Sequence, residues 1–318
     1  MVELIIRNGL NAYFPVIEEE ITWETVRKGV PGKLEFSVVK DENINFQEGN
    51  SVNFYVNGEK VFYGFVFTKK RDKDQIIKVT AYDQLRYLKN KDTYNYEKKT
   101  ASDVVTMIAK DFNLVTGKLD NTGYVIKNRL EDNKTLFDMI QNALDLTLQN
   151  KKEMYVLYDD FGKLMLKDIK DMKLNLLINE ESAENFDYTS SIDGDTYNRI
   201  KLSYNNDKTG KREIYIAEDS SHKNSWGVLQ YYETINEKTN GKVKADALLS
   251  LYNKKTRNLS VSNAIGDIRV RGGSIVAVML KLGDIDLKKY MLVETVKHTF
   301  KGNEHYMDLT LRGGEFIA

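Results

Sequence analysis

The chain has 318 residues, with 47 Lys and Arg against 47 Asp and Glu, so its formal net charge is zero and no overall basic field exists to hold nucleic acid or an anionic membrane. Cysteine is absent, which rules out disulfide staples, thiolate metal ligands and cysteine nucleophiles. The length allows two or three domains with their own cores, and the only prolines, Pro15 and Pro31, leave no proline-rich linker between them.

The chain opens on an alternating run, Met1 to Asn11, that carries Glu3 and Arg7 and does not read as a secretory leader. No stretch approaches ~18 uncharged apolar residues, so the expectation is a chain made in the cytoplasm without membrane contact. From Val2 to Asp83 the hydrophobic period is two: residues 16–25, 33–40, 51–56, 61–68 and 76–82 alternate, which predicts a small β-barrel over residues 1–96. Asn57-Gly58 between two of these runs is a type I′ hairpin signal, because both positions tolerate positive φ. In the run 61–68, Tyr63, Phe65 and Phe67 share one face and Phe62 and Val66 the other. A strand apolar on both sides lies in a core or meets a partner, which makes Tyr63, Phe65 and Phe67 candidate subunit contacts.

The period then becomes helical, and residues 97–184 are predicted to form an α+β module. Thr100 or Ser102 caps a helix that runs to Phe112, with Val104, Val105, Ile108 and Ala109 on its apolar stripe. A second helix runs from about Lys134 to Gln149. Strands 154–158 and 163–166 follow, joined by the turn Asp159-Asp160-Phe161-Gly162. Residues 185–318 return to strands and are predicted to form a second β-barrel, with one helix inserted at 242–255. Tyrosine is plentiful, 19 residues, and Trp226, Tyr231 and Tyr232 sit together in a polar segment. Rings with a polar tip favour interfaces, so these three join the candidate contacts.

One pattern appears at both ends. Gly49-Asn50-Ser51 opens the strand 51–56, then come 60–69 and 75–82. Gly272-Gly273-Ser274 opens 275–280, then come 289–300 and, after Gly302-Asn303, 304–311. A chain that carries such a unit twice presents two similar faces to a ring. Edge strands in that ring should pair across chains, with Phe62 to Phe67 and Tyr290 to Val296 as the expected seams.

Two stretches carry a family likeness. The first is Asn133-Lys134-Thr135-Leu136-Phe137-Asp138-Met139-Ile140 running into Met154-Tyr155-Val156-Leu157-Tyr158-Asp159-Asp160-Phe161-Gly162-Lys163-Leu164, a helix followed by an apolar strand and D-x-x-G-x-L. The second runs from Tyr197-Asn198-Arg199-Ile200-Lys201-Leu202 through Ser225-Trp226-Gly227-Val228 to Ala245-Asp246-Ala247-Leu248-Leu249. Along nearly its full length the chain resembles the baseplate hub proteins of contractile phage tails and phage-tail-like bacteriocins, most closely the XkdQ/YqbQ group allied to late-control protein D. The resemblance implies a homotrimer of two-barrel chains between the six-fold tail tube and the three-fold central spike. It also implies other baseplate proteins as partners, assembly in the bacterial cytoplasm and a place in the released particle.

Enzymatic constellations are weaker. Ser37-Val38-Val39-Lys40 and Lys208-Thr209-Gly210 match S-x-x-K and K-T-G, but the serine lies in a predicted strand that puts Ser37 and Lys40 on opposite faces. The paired carboxylates Glu18-Glu19-Glu20, Asp159-Asp160 and Asp193/Asp195 are the alternative, as a peptidoglycan hydrolase, which for a retaining pair needs carboxyls roughly 5 Å apart with one raised by burial. All three read as solvated turns. Asp193-Gly194-Asp195 lacks the further oxygens of a calcium loop. His298 and His305 approach one another across the last hairpin, yet no third zinc ligand is evident. No P-loop or G-x-G-x-x-G is present. The sequence therefore predicts a mainly β structural protein with no catalytic residue, cofactor or metal; a sugar-binding β module is the third reading.

Overall fold

The structure is a computed structural model and describes residues 1–206, 210–235, 240–282 and 285–313. Seven strands come first: β1 Val2–Asn8, β2 Asn11–Tyr13, β3 Ile17–Val26, β4 Lys33–Val39, β5 Ser51–Val56, β6 Glu59–Arg71 and β7 Ile76–Tyr82. A 3-10 turn at Gln84–Lys89 leads to β8 Lys91–Lys99, helix α1 Ala101–Asp111, β9 Thr116–Leu119, β10 Ile126–Thr135 and helix α2 Leu136–Lys151. Then come β11 Tyr155–Asp159, β12 Leu164–Asp168, β13 Lys173–Ile178, β14 Asn185–Ser191, β15 Arg199–Asn206 and β16 Lys211–Glu218. The chain ends with α3 Ser220–Trp226, β17 Gln230–Thr234, α4 Gly241–Tyr252, β18 Thr256–Ile265, β19 Ile275–Leu282, β20 Ile285–Lys301 and β21 Glu304–Gly313.

The chain divides into two compact units, one of residues 1–147, 153–187 and 259–318, the other of residues 148–152 and 188–258. The larger unit is built on a 13-stranded sheet whose main path runs β14-β18-β21-β20-β3-β4-β7-β6-β5-β1-β2, with β19 joining β20 and β13 joining β19. The repeated pattern is visible in it. β5, β6 and β7 form one antiparallel meander and β19, β20 and β21 another, each with a long middle strand. Each is opened by a glycine in the left-handed region, Gly49 at φ 85° and Gly273 at φ 97°.

The expected pair of closed barrels is corrected by the same topology. The sheet path is open, and β20 pairs antiparallel with β3, His298 opposite Trp23 and Phe300 opposite Ile21, so strands from both ends of the chain belong to one sheet. Long-range pairing of this kind is decided by which apolar faces meet, and alternation within each strand carries no trace of it. One core joins the two ends: Ile21, Trp23, Leu34, Phe36, Phe54, Phe62, Val66, Val79 and Phe300 are all buried together. Asn57 and Gly58 adopt φ 51° and 81°, the type I′ turn read from the sequence.

Within the same unit, α1 and α2 pack with the sheet β11-β12-β9 and the ribbon β8-β10 around Val104, Ile108, Leu136, Met139, Ile140, Leu164 and Leu166. Thr100 is the N-cap of α1, and Asp103 reaches back to its backbone N–H at 2.8 Å, closing a capping box. The smaller unit is a sheet of order β16-β15-β17 with α4 on one face, over Ile200, Leu202, Ala217, Ala245 and Leu248.

Candidate interaction surface

On β6 the alternation does two jobs. Phe62 and Val66 enter the core, and Gly64 between them is tight against the Tyr82 backbone. Tyr63, Phe65 and Phe67 point to the opposite face and are half-buried. They are part of a continuous ladder of rings: Tyr55 meets Phe161 at 5.4 Å between centroids, Phe161 meets Tyr63 at 5.9 Å, Tyr63 meets Phe65 at 5.6 Å and Phe65 meets Tyr87 at 6.3 Å. Phe67 closes the row, 6.1 Å from Tyr87 and 5.5 Å from Tyr82. The Lys60 ammonium stands 5.1 Å over Phe161 and the Arg86 guanidinium 5.3 Å over Phe67, within the range of cation–π attraction. In the middle of the ladder a groove of about 340 Å³ is lined by Tyr63, Phe65, Gln84, Tyr87 and Phe112.

The D-x-x-G-x-L stretch supplies one end of this ladder. Asp160 and Lys163 close the β11–β12 hairpin, and Phe161 and Gly162 are its two turn residues at φ 48° and 84°. A phenylalanine in the left-handed region costs roughly 1–2 kcal/mol, and contact of its ring with Tyr55, Tyr63 and Lys60 offsets that cost. Asp159 holds the turn: its carboxylate accepts from the Gly162 N–H at 2.7 Å and from Gln84 Nε2 at 2.9 Å. Gln84 is itself locked, because its amide also donates to the Val115 carbonyl and accepts from the Val115 N–H. Burial, above all, pushes the Asp159 carboxyl up to about 6. Asp83 beside it, buried and accepting from the backbone N–H of Gly32 and Leu85, is raised by burial and by the Asp159 charge.

Arg271 completes the cluster. It donates to the Asp159 carbonyl at 2.9 Å and lies 4.6 Å over the Tyr158 ring. The expectation that Asp159 is a solvated turn carboxylate is therefore corrected. Asp83, Gln84 and Arg271 were not singled out from the sequence, and the available signal was weak: an aspartate directly after a strand, in N-cap position for a short turn. Both Asp159 oxygens are engaged by the fold, an arrangement that joins three distant segments rather than one that presents an acid to a substrate.

The turn gives a direct test. In Gly162→Ala the new Cβ would lie 2.6 Å from Tyr63 Cδ1 at a φ that alanine resists. At Gly302, φ 59°, the same substitution meets nothing within 4 Å. Urea unfolding should show about 1 kcal/mol lost at Gly302 and about 2 kcal/mol or more at Gly162. Equal losses would mean that the ring contact at Gly162 carries no energy.

The other candidate rings lie in the smaller unit, on different faces of their elements. Trp226 ends α3 and stacks on His222 at 3.8 Å. Tyr231 faces the core side of β17, against Tyr197 and Tyr252, with its hydroxyl on Glu233 at 3.2 Å. Tyr232 is on the exposed face, and its hydroxyl is bonded to Ser203 at 2.7 Å and to Arg212. Asp193 and Asp195 are exposed in a turn. Ser37 lies in β4, as expected, while Lys208 and Thr209 lie outside the described residues. His298 and His305 do meet, Nδ1 to Nε2 at 2.9 Å. Among the described residues no group of three or more His, Cys, Asp or Glu could hold a metal ion, and no helix is long and apolar enough to cross a membrane.

The comparison with known proteins agrees with the resemblance read from the two stretches. The phage-like element PBSX protein XkdQ of Bacillus subtilis is 31% identical over 320 residues, 97% of this chain and 96% of the relative. The uncharacterized protein YqbQ of the same organism is 30% identical over equal shares of both chains. Among solved structures, the 43 kDa tail protein of prophage MuSo2 from Shewanella oneidensis superposes with a TM-score of 0.73 at 12% identity, covering 99% of this chain and 100% of that one, a likeness of fold. A family model described as YQBQ-like matches residues 21–312, and the chain belongs to that family.

Proposed function

We propose that the chain is a structural, non-enzymatic subunit at the hub of a contractile-tail baseplate, a homotrimer that adapts the six-fold tail tube to the three-fold central spike. The observation that carries this reading is the 31% identity, over nearly the whole of both chains, to a protein named for a phage-like element. The prophage tail protein fold supports it. So do the two similar strand meanders, because two such groups per chain and three chains would supply six similar positions to a ring. In this reading residues 1–96 and 185–318 carry the two ring-forming halves and residues 97–184 lie between them in sequence. Tyr63, Phe65, Phe67, Trp226 and Tyr232 face neighbouring subunits, the spike or other baseplate proteins, while Tyr231, expected from the sequence to join them, packs on Tyr197 and Tyr252 inside the smaller unit. Assembly takes place in the bacterial cytoplasm, and the subunit leaves with the particle.

Light scattering on the purified chain, alone and mixed with the spike protein of its own tail cluster, tests this. A mass of three times the chain is expected in at least one condition. A monomer at high concentration in both would sink the reading. The hydrolase alternative makes a different prediction. The purified protein should leave a peptidoglycan suspension turbid; reproducible clearing, lost in Asp160→Asn or Glu19→Gln, would replace the structural role with a catalytic one.

A further inference from the structure

The larger unit displays a second apolar feature that its own fold leaves uncovered. β2 ends the sheet path and among the described residues pairs only with β1, Ile6 opposite Tyr13 and Asn8 opposite Asn11. Around it Leu10, in the turn that joins β1 to β2, and Phe14 and Val16, in the arm between β2 and β3, are 104%, 66% and 70% exposed, an apolar cluster at this end of the sheet. The arm runs into Glu18, Glu19 and Glu20, and among the described residues none of these has a cation within salt-bridge distance. The aromatic ladder is its converse. It is a half-open row of rings with a groove at its centre, and its two flanking cations, Lys60 and Arg86, have no carboxylate within salt-bridge distance among the described residues.

Like against like, these patches repel: ladder on ladder sets cations against cations, and arm on arm sets glutamates against glutamates. Arm on ladder buries apolar side chains against rings and gives the glutamates their cations. The two patches are different, so the contact is heterologous, the kind that generates a ring when its rotation closes. It also covers the free edge of β2, which is otherwise an aggregation hazard.

We infer that the arm Leu10–Glu20 of one copy lies on the aromatic ladder of the next, with Phe14 or Val16 entering the groove between Tyr63, Phe65 and Tyr87. This seam rests on the trimer reading above and specifies its contact.

The absence of cysteine makes the test clean. Under mild oxidation the double variant Val16→Cys/Phe65→Cys should yield covalent trimers on a non-reducing gel, and neither single variant should cross-link. In parallel, Glu18→Lys/Glu20→Lys should weaken trimer formation by on the order of tenfold or more at low salt, and adding Lys60→Glu/Arg86→Glu should restore it. A wild-type chain that is trimeric while the cysteine pair gives no cross-link overturns the seam alone. Cross-linking of Val16→Cys by itself also overturns it, because it would mean an arm-to-arm contact. A wild-type chain that never trimerises overturns the hub reading and the seam together.

Discussion

Replacing Gly272 by alanine should destabilise the fold by about 3 kcal/mol or more. Gly272 sits where the segment before β19 crosses the end of β3, and a Cβ there would lie 2.4 Å from the Arg27 nitrogen and 2.5 Å from the Val26 carbonyl carbon. Both are backbone atoms, so no side-chain rotation relieves the overlap. The residue is also tied in place, its N–H donating to Thr25 Oγ1 at 2.9 Å, while Gly273 N–H reaches the Val293 carbonyl at 2.8 Å. Moving the segment outward would strain Arg27, which is buried and paired with Glu294 at 2.7 Å. The expected outcome in urea is a midpoint well below that of Gly302→Ala, which serves as the open-turn control. A loss under 1 kcal/mol would mean that β3 and the β19 leader are not held this closely in solution.

Gly272 also marks the limit of what the sequence reveals. As a glycine before an alternating run it reads as a strand opener, and the repeat it shares with Gly49 is real at the level of the two meanders. What it actually accommodates is the backbone of residues 26 and 27, and no local pattern announces a neighbour some 245 positions away. Features set within one turn of chain were readable for the opposite reason: Asn57-Gly58, the Thr100/Asp103 cap and the Asp160–Lys163 hairpin each contain their own cause. β8 and β10 escaped notice because most of their residues are exposed and polar, leaving no apolar alternation to count. α3 buries none of its residues and so has no stripe. For the surface, Tyr63, Phe65 and Phe67 were legible from strand period, but Phe161, Tyr55 and Tyr87 join them only in three dimensions.

The histidine pair predicts the protein's response to acid. His298 is fully buried, its Nε2 bonded to the Val270 carbonyl at 2.9 Å and its Nδ1 to His305 Nε2 at 2.9 Å, with Trp23 stacked on the ring at 4.7 Å. Val270 must receive a proton, so His298 carries it on Nε2 and accepts from His305 through Nδ1. Burial, reinforced by the His305 and Arg271 charges against the opposing pull of Asp267, holds His298 down at about 3; burial holds His305 at about 4. An unfolded chain titrates these rings near ~6.5. Below that pH the unfolded state takes up protons that the fold refuses, so the contribution is intact above about pH 6.5 and is lost as pH falls. From pH 7.5 to 5.0 the loss is about 2 kcal/mol at His298 and, because water reaches and screens it, about 1 kcal/mol at His305. Asp159 acts in the other direction. Its carboxyl is raised to about 6, so its ionisation burdens the fold at neutral pH and acidification returns about 1 kcal/mol over the same range, and the neighbouring Asp83 carboxyl, raised by burial and by the Asp159 charge, acts in the same direction. Between pH 7.5 and 5.0 the urea stability of the wild type should therefore fall about 3 kcal/mol further than that of His298→Gln/His305→Gln. Whatever its absolute stability, the double variant keeps only the contributions of the other groups, the raised Asp83 and Asp159 carboxyls among them. A double variant that keeps the wild-type difference would place the acid sensitivity elsewhere in the fold.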